Sequence, residues 1–427
     1  MPGLVLAAPC SGAGQTTVTL ALLRLLNLMG QPVRAAKTGP GFLTPRLHEA
    51  ACEVPGLNLD PHAMSADRLR ALASGPDLLL VEGDRGLFDA VAPGGTGGTA
   101  DLARTLGLPV VLIVDTARMA QSVAPLVAGF AAHDPQVRIA GVILNRTASA
   151  AHAARMRQAL APLGLPVLAT LPDHPDLTLP APQRALTAAG VRPELDPYLD
   201  RAAALLAEGT PGDAPPDIAA LLSLAAPLPV GEDTTRLAPP AQTIAIARDE
   251  AFAAGYAHMM ADWRDAGAEI RFFSPLADDP VPMAEFVFLP GGNPERHAGR
   301  LASAGRFLTT LRTHGERKRV YGEGGGYLVM GDVLTDAGGV PHQMAGLLNL
   351  ATSFKKRQPQ EGYRIVSASR GPMTGTFHAH EAAEATTLYQ SGDPLFLATD
   401  PDGTPRPPMG LREGRVAGSF AHLIDPA

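Results

Sequence analysis

The chain is poor in cysteine. Its 427 residues hold two, Cys10 and Cys52, too few for a disulfide framework or a zinc cluster built on thiolates. It has no apolar run approaching ~20 residues, so no membrane span is expected. Met1 leads straight into an apolar strand without a basic segment or a separate apolar region, so the expectation is a cytoplasmic protein. Positive charge is not in excess either: a formal net charge of −7 argues against a general nucleic-acid binder. What remains is ordinary globular composition, 46% hydrophobic and 18% charged, in a length that suggests two or three domains.

The stretch that organises the first half is Leu4 to Leu20, LVLAAPCSGAGQTTVTL. It reads as a short buried strand, a glycine-containing turn and the start of a helix, the layout of a phosphate-binding P-loop. Backbone N–H groups and the positive helix end suit a chain of phosphates, with Gly12, Gly14, Gln15, Thr16 and Thr17 as candidate contacts. Such a loop normally ends in Gly-Lys-Ser/Thr. Gln15 stands where that lysine would be.

Up to about residue 205, apolar strand candidates alternate with helical stretches: Val5–Ala8, Val33–Lys37, Leu78–Glu82, Val110–Asp115, Ile139–Asn145 and Val167–Thr170. Continuous apolar runs of this kind suit strands covered on both faces, so a doubly wound parallel α/β sheet is expected. Its ligand should lie at the C-terminal strand ends. Those ends carry Lys37, Glu82 with Asp89 close behind, Asp115 and Asn145. Glu82 and the Thr16 hydroxyl are candidate Mg²⁺ ligands. Asn145 could read an adenine edge with its paired donor and acceptor. One such residue alone could simply cap a turn, but five on one rim beside a P-loop favour a nucleotide site.

Residues 206–240, rich in Ala, Pro and Asp, read as a linker with one short helix. A second strand–helix alternation begins at 241 and runs to 427, with later segments that look antiparallel.

With these motifs in hand, the chain resembles the cobyrinic acid and hydrogenobyrinic acid a,c-diamide synthase family. The resemblance spans nearly the whole length. It rests on APCSGAGQTT, KTGPGFLTP, VEGDRGLFD, GGTADLARTLGLPVVLIVD and VRIAGVILNR in the first half, and on FLPGGNPERHAGRLA, VYGEGGGYLVMGD and GSFAHL in the second. It implies a dethiobiotin synthetase-like P-loop domain (1–205) and a class I-type glutamine amidotransferase domain (241–427). It also implies an activity: ATP and Mg²⁺ phosphorylate a peripheral carboxylate of a corrin-type tetrapyrrole, and ammonia released from glutamine displaces the phosphate. Carboxylates a and c would be amidated in turn. A homodimer is expected on the same ground. Lys37 and Asp89 would stand beside the reacting carboxylate, and His422 in GSFAHL matches the family's amidotransferase histidine.

Four departures from the family pattern fall on chemistry rather than on loops. Gln15 replaces the P-loop lysine, a loss expected to cost several kcal/mol, roughly 10²–10³ in rate. Gly41 and Thr44 stand where the family has aspartates. Gly324, in GEGGG, stands where the family has its nucleophilic cysteine, so no thioester can form. The family's RHLGL is PQRAL at 182–186. The glutaminase half is therefore expected to be inactive, with free ammonia or another protein's ammonia as nitrogen source. The alternative is a catalytically degenerate paralogue that binds a tetrapyrrole or a partner enzyme. A cluster of His378, His380 and Glu381 is not expected to be a metal site.

Overall fold

The computed structural model describes residues 2–92, 95–179, 195–231 and 235–427. They divide into two compact units, 2–231 and 235–427.

The first unit is built on seven parallel strands: β1 (Pro2–Ala8), β2 (Val33–Thr38), β3 (Leu57–Leu59), β4 (Leu78–Gly86), β5 (Val110–Asp115), β6 (Ile139–Thr147) and β7 (Val167–Pro172). Their spatial order is β3-β2-β4-β1-β5-β6-β7. Leu4 to Leu6, Leu79 to Val81 and Val110 to Val114 are wholly buried, as strands covered on both faces must be. Of these strands only β3 escapes the sequence reading; three residues are too few to show a period.

Helix α1 (Gln15–Leu28) has neither Gly nor Pro in its interior, and its leucine-rich face buries Val18, Leu22 and Leu26. That face shares a core with Tyr198, Leu199, Ala202 and Leu206 of the helix Leu195–Glu208. The composition of 206–240 reads as a linker, yet the structure builds 206–231 into this unit. Leu221 of the helix Ile218–Ser223 joins the same core, and a short strand, β8 (Ala226–Pro227), pairs antiparallel with β1. Each fully buried leucine contributes about 1.5–3 kcal/mol relative to exposure, enough to hold a polar-looking segment down. The PQRAL segment at 182–186 lies outside the described residues.

The second unit has a six-stranded sheet. Its strands β9 (Thr243–Ala247), β10 (Glu269–Phe273), β11 (Phe286–Leu289) and β12 (Arg319–Glu323) are joined by strands Val416–Ser419 and Leu411–Glu413. The first five run parallel. The other pairings in the unit are antiparallel except that of Val333–Thr335 with Leu350–Ser353, and in the strand Ala421–Pro426 His422 faces His380 of strand Gly375–Ala383. No described helix is long and apolar enough to cross a membrane.

Candidate functional site

In the first unit the chain leaves β1 and turns through Gly12 and Gly14, at φ 84° and 83°, before entering α1. These are left-handed conformations that glycine adopts without strain. A Cβ on Gly12 would meet nothing within 4 Å, so the backbone there is open to an anion. A Cβ on Gly14 would fall 2.1 Å from Asn145 Nδ2, so that position admits only glycine. The loop forms one wall of a cleft of ≈ 540 Å³, within the range of small-ligand pockets. Gly12, Gly14, Gln15, Thr16, Thr17, Lys37, Glu82 and Asn145 all line it.

Beneath the loop, charge is concentrated at strand ends that the sheet register brings together. Glu82 on β4 lies between Leu6 on β1 and Lys37 on β2. Thr16 Oγ1 donates to Glu82 Oε1 at 2.7 Å, and His48 Nε2 is 2.7 Å from Glu82 Oε2. Lys37 Nζ is 3.6 Å from Glu82 and 3.3 Å from Asp84. Both Lys37 Nζ and Gln15 Nε2 donate to the Gly83 carbonyl. Glu82 is buried, which alone would raise its pKa. Lys37, His48 and the Thr16 hydroxyl outweigh that and hold it below the usual carboxylate range.

This has a consequence for stability. A carboxylate with a lowered folded pKa stabilises the fold above its unfolded value, about 4.3, and loses that contribution as pH falls through the folded value. Glu82→Gln is expected to be less stable near neutrality, because Lys37 loses a buried partner. Below about pH 5 its stability should fall less steeply than the wild type's, by up to about 1.4 kcal/mol per pH unit. Urea unfolding between about pH 7 and pH 3 measures this, and an unchanged acid limb would contradict the assignment.

The structure redistributes several expected roles. Asp89 does not line the cleft. Its Oδ2 accepts from Gly86 N at 2.9 Å, closing the turn after β4, and it lines a separate pocket of ≈ 200 Å³ with Arg104, His133 and Asp134. Asp84 stands in the cleft instead. Asn145 Nδ2 donates one hydrogen to the Ala13 carbonyl at 2.9 Å, so it fastens β6 to the loop. Asp115 Oδ2 takes Arg146 Nη1 at 2.5 Å, and the same Nη1 donates to the Gly12 carbonyl at 3.1 Å. Thr44 lines the cleft, and a Cβ on Gly41 would meet nothing within 4 Å, so both positions stay open where aspartates are missing. Sequence reasoning missed His48, Asp84 and Arg146. Asp84 had a signal: two residues beyond Glu82 on a strand, it shares that residue's face.

In the second unit, β12 runs into Gly324, at φ 46° and ψ −109°, and then the short helix Gly325–Met330. Gly324 N donates to the Ser419 carbonyl at 2.9 Å. This sharp strand-to-helix elbow is kept although glycine carries no nucleophile. An ideal Cβ on Gly324 would lie 2.6 Å from His422 Nε2, and one on Gly291 would lie 2.2 Å from His422 Cε1. The imidazole therefore occupies the space a side chain at 324 would need. His422 Nδ1 is 3.6 Å from Glu323 Oε2, and Glu323 Oε1 accepts from Leu423 N at 3.1 Å. Among the described residues no group of three or more His, Cys, Asp or Glu side chains is placed to hold a metal ion, so His378, His380 and Glu381 do not form such a site.

Residues 4–187 match the CobQ/CobB/MinD/ParA nucleotide binding domain, and residues 243–425 match the CobB/CobQ-like glutamine amidotransferase domain. A protein of Brucella anthropi named hydrogenobyrinate a,c-diamide synthase is 46% identical over 434 residues, covering 100% of this chain and 99% of the relative. The protein of that name from Rhizobium meliloti is 45% identical over 437 residues, with the same coverage. That of Rhodobacter capsulatus is 44% identical over 433 residues, covering 99% of this chain and 98% of the relative. Two domain matches in the order the fold displays, with full-length relatives at this identity, place the chain in the hydrogenobyrinate a,c-diamide synthase family.

Proposed function

We propose that this protein is an ATP-dependent ligase that amidates the a and c carboxylates of hydrogenobyrinic or cobyrinic acid in cobalamin synthesis, with ammonia as its nitrogen source. The observation that carries this reading is the cluster of Thr16, at the start of α1, with Glu82 and Lys37, at the strand ends, under a P-loop that keeps its glycines. The open backbone at Gly12 and the helix start fit a polyphosphate. Thr16 and Glu82 would hold Mg²⁺, together with water. When bound, Mg²⁺–ATP supplies the phosphoryl group that turns a carboxylate into an electrophile. Lys37 sets a positive charge in the cleft against the phosphates. Asp84 and the Gly83 carbonyl hold Lys37 in place.

The second unit keeps the elbow, the Gly291–Gly292 loop and His422, but no thiol. Glutamine therefore has no nucleophile to attack its side-chain amide. The test is ATP turnover and amide formation with the tetrapyrrole acid, supplying glutamine in one reaction and ammonium in another. Product with ammonium alone is expected. Product with glutamine as sole nitrogen source would contradict the reading of Gly324. Tight tetrapyrrole binding without turnover in either reaction would replace the ligase by a non-catalytic binding protein.

A further inference from the structure

The loop lacks the cation that a lysine would bring, and Gln15 puts an acceptor in its place. Gln15 Nε2 donates to the Gly83 carbonyl, which fixes the amide with Oε1 directed away from that carbonyl. Oε1 is buried from solvent and accepts no hydrogen bond among the described residues. A buried acceptor without a partner is unfavourable and calls for a donor or a cation. Lys37 is committed elsewhere: its Nζ donates to Gly83 O and lies between Glu82 and Asp84. The Thr16 hydroxyl is given to Glu82. Gln15 nevertheless lines the cleft, at the position from which a P-loop lysine reaches the outer phosphates.

Resting on the reading of this cleft as an ATP site, we propose that Gln15 Oε1 is a ligand of a monovalent cation, K⁺ or NH₄⁺. The ion enters with the nucleotide and supplies the positive charge that the absent lysine would carry. A neutral carbonyl oxygen is a suitable ligand for an ion of this size, whose hydration shell carbonyls can replace. Divalent ions prefer carboxylates, and Mg²⁺ dehydrates reluctantly. NH₄⁺ would meet the same oxygen as a hydrogen-bond donor. Nucleotide phosphate oxygens and water complete the coordination.

The experiment measures the affinity of the full chain for a fluorescent, non-hydrolysable ATP analogue with Mg²⁺. Ionic strength is fixed in KCl, NH₄Cl, LiCl or choline chloride. Binding at least about tenfold tighter (~1.4 kcal/mol) in KCl or NH₄Cl than in choline chloride is expected. Tightening in both salts assigns the site to either ion, and in one salt alone to that ion. Gln15→Lys should bind alike in all four salts, and Gln15→Ala should bind weakly in all four. Equal wild-type affinity across the salts overturns the cation site and leaves the ATP site standing. Salt dependence that persists in Gln15→Lys or Gln15→Ala overturns the assignment to Gln15. Absence of nucleotide binding in every salt overturns both the cation site and the ATP reading.

Discussion

Gly324→Cys is expected to gain glutamine hydrolysis, rising at least about 10³-fold over the wild-type background. The comparison is with nucleophile removal in a hydrolase, which costs about 10⁶; restoring a nucleophile to a retained frame should recover a good part of such a factor. The frame is there. The backbone at 324 already has φ 46° and ψ −109°, the adjacent Gly325–Met330 helix is formed, and the amide of Gly324 is anchored on Ser419. His422 is close, but its ring now lies 2.6 Å from the new Cβ position, so it must swing aside. Glu323, at 3.6 Å from Nδ1, stays behind the ring to orient it. After that swing the imidazole is beside the thiol and can take its proton. A non-glycine residue at such a φ/ψ costs about 1–3 kcal/mol. The variant should therefore melt at a lower temperature while gaining activity. Gly324→Ala is the control: it should show the same strain and no glutaminase. Glutamate release from glutamine, measured for all three proteins, decides the matter. A cysteine variant that folds, yet releases no more glutamate than the alanine variant, would show that the pocket has lost more than its nucleophile.

The parts of this molecule that sequence makes legible are those with a strong local signature. The β1–loop–α1 unit shows itself by two glycines between an apolar run and a leucine-rich helix, and β4, β5, β6 and β7 largely by apolar runs. The strand ends then follow from topology, which is why Lys37, Glu82 and Asn145 all reach the cleft. What sequence could not reveal is what each polar atom does on arrival. Asn145 looks like a base reader, and its amide also holds the loop. Asp89 looks like a partner of Glu82, but the turn from Gly86 to Asp89 captures it first. His48 sits on the helix Leu43–Cys52 with nothing local to mark it, and only packing shows that its ring reaches Glu82. Residues 206–231 have the composition of a linker, and their attachment depends on isolated apolar side chains such as Leu221 finding an existing core. The elbow at Gly324 is a case where the motif was readable because its geometry outlived its chemistry.

Lys37→Met is expected to lower the rate of ATP-dependent amidation by about 10²–10³, equivalent to ~2.7–4 kcal/mol of transition-state stabilisation. Lys37 is the only lysine before residue 318, and it is buried in the cleft that Gln15 leaves without its usual cation. The nearby arginines are poorly placed to replace it. Arg146 is held by Asp115 and the Gly12 carbonyl, and Arg85 points a largely exposed side chain at Asp84 from 3.8 Å. Arginine at 37 should not rescue, since a planar fork does not fit where a compact ammonium meets one carbonyl and two carboxylates. Stability must be separated from chemistry here, because removing Lys37 strips a buried carboxylate of a counter-charge, a change that costs about 3–5 kcal/mol. The double variant Lys37→Met/Glu82→Gln removes both charges, so it should recover much of the lost stability. It should recover none of the rate. Melting temperature and single-turnover rate measured on both variants separate the two effects. If the double variant regains activity in step with stability, Lys37 serves only to neutralise Glu82, and the charge facing the phosphates comes from elsewhere in the cleft.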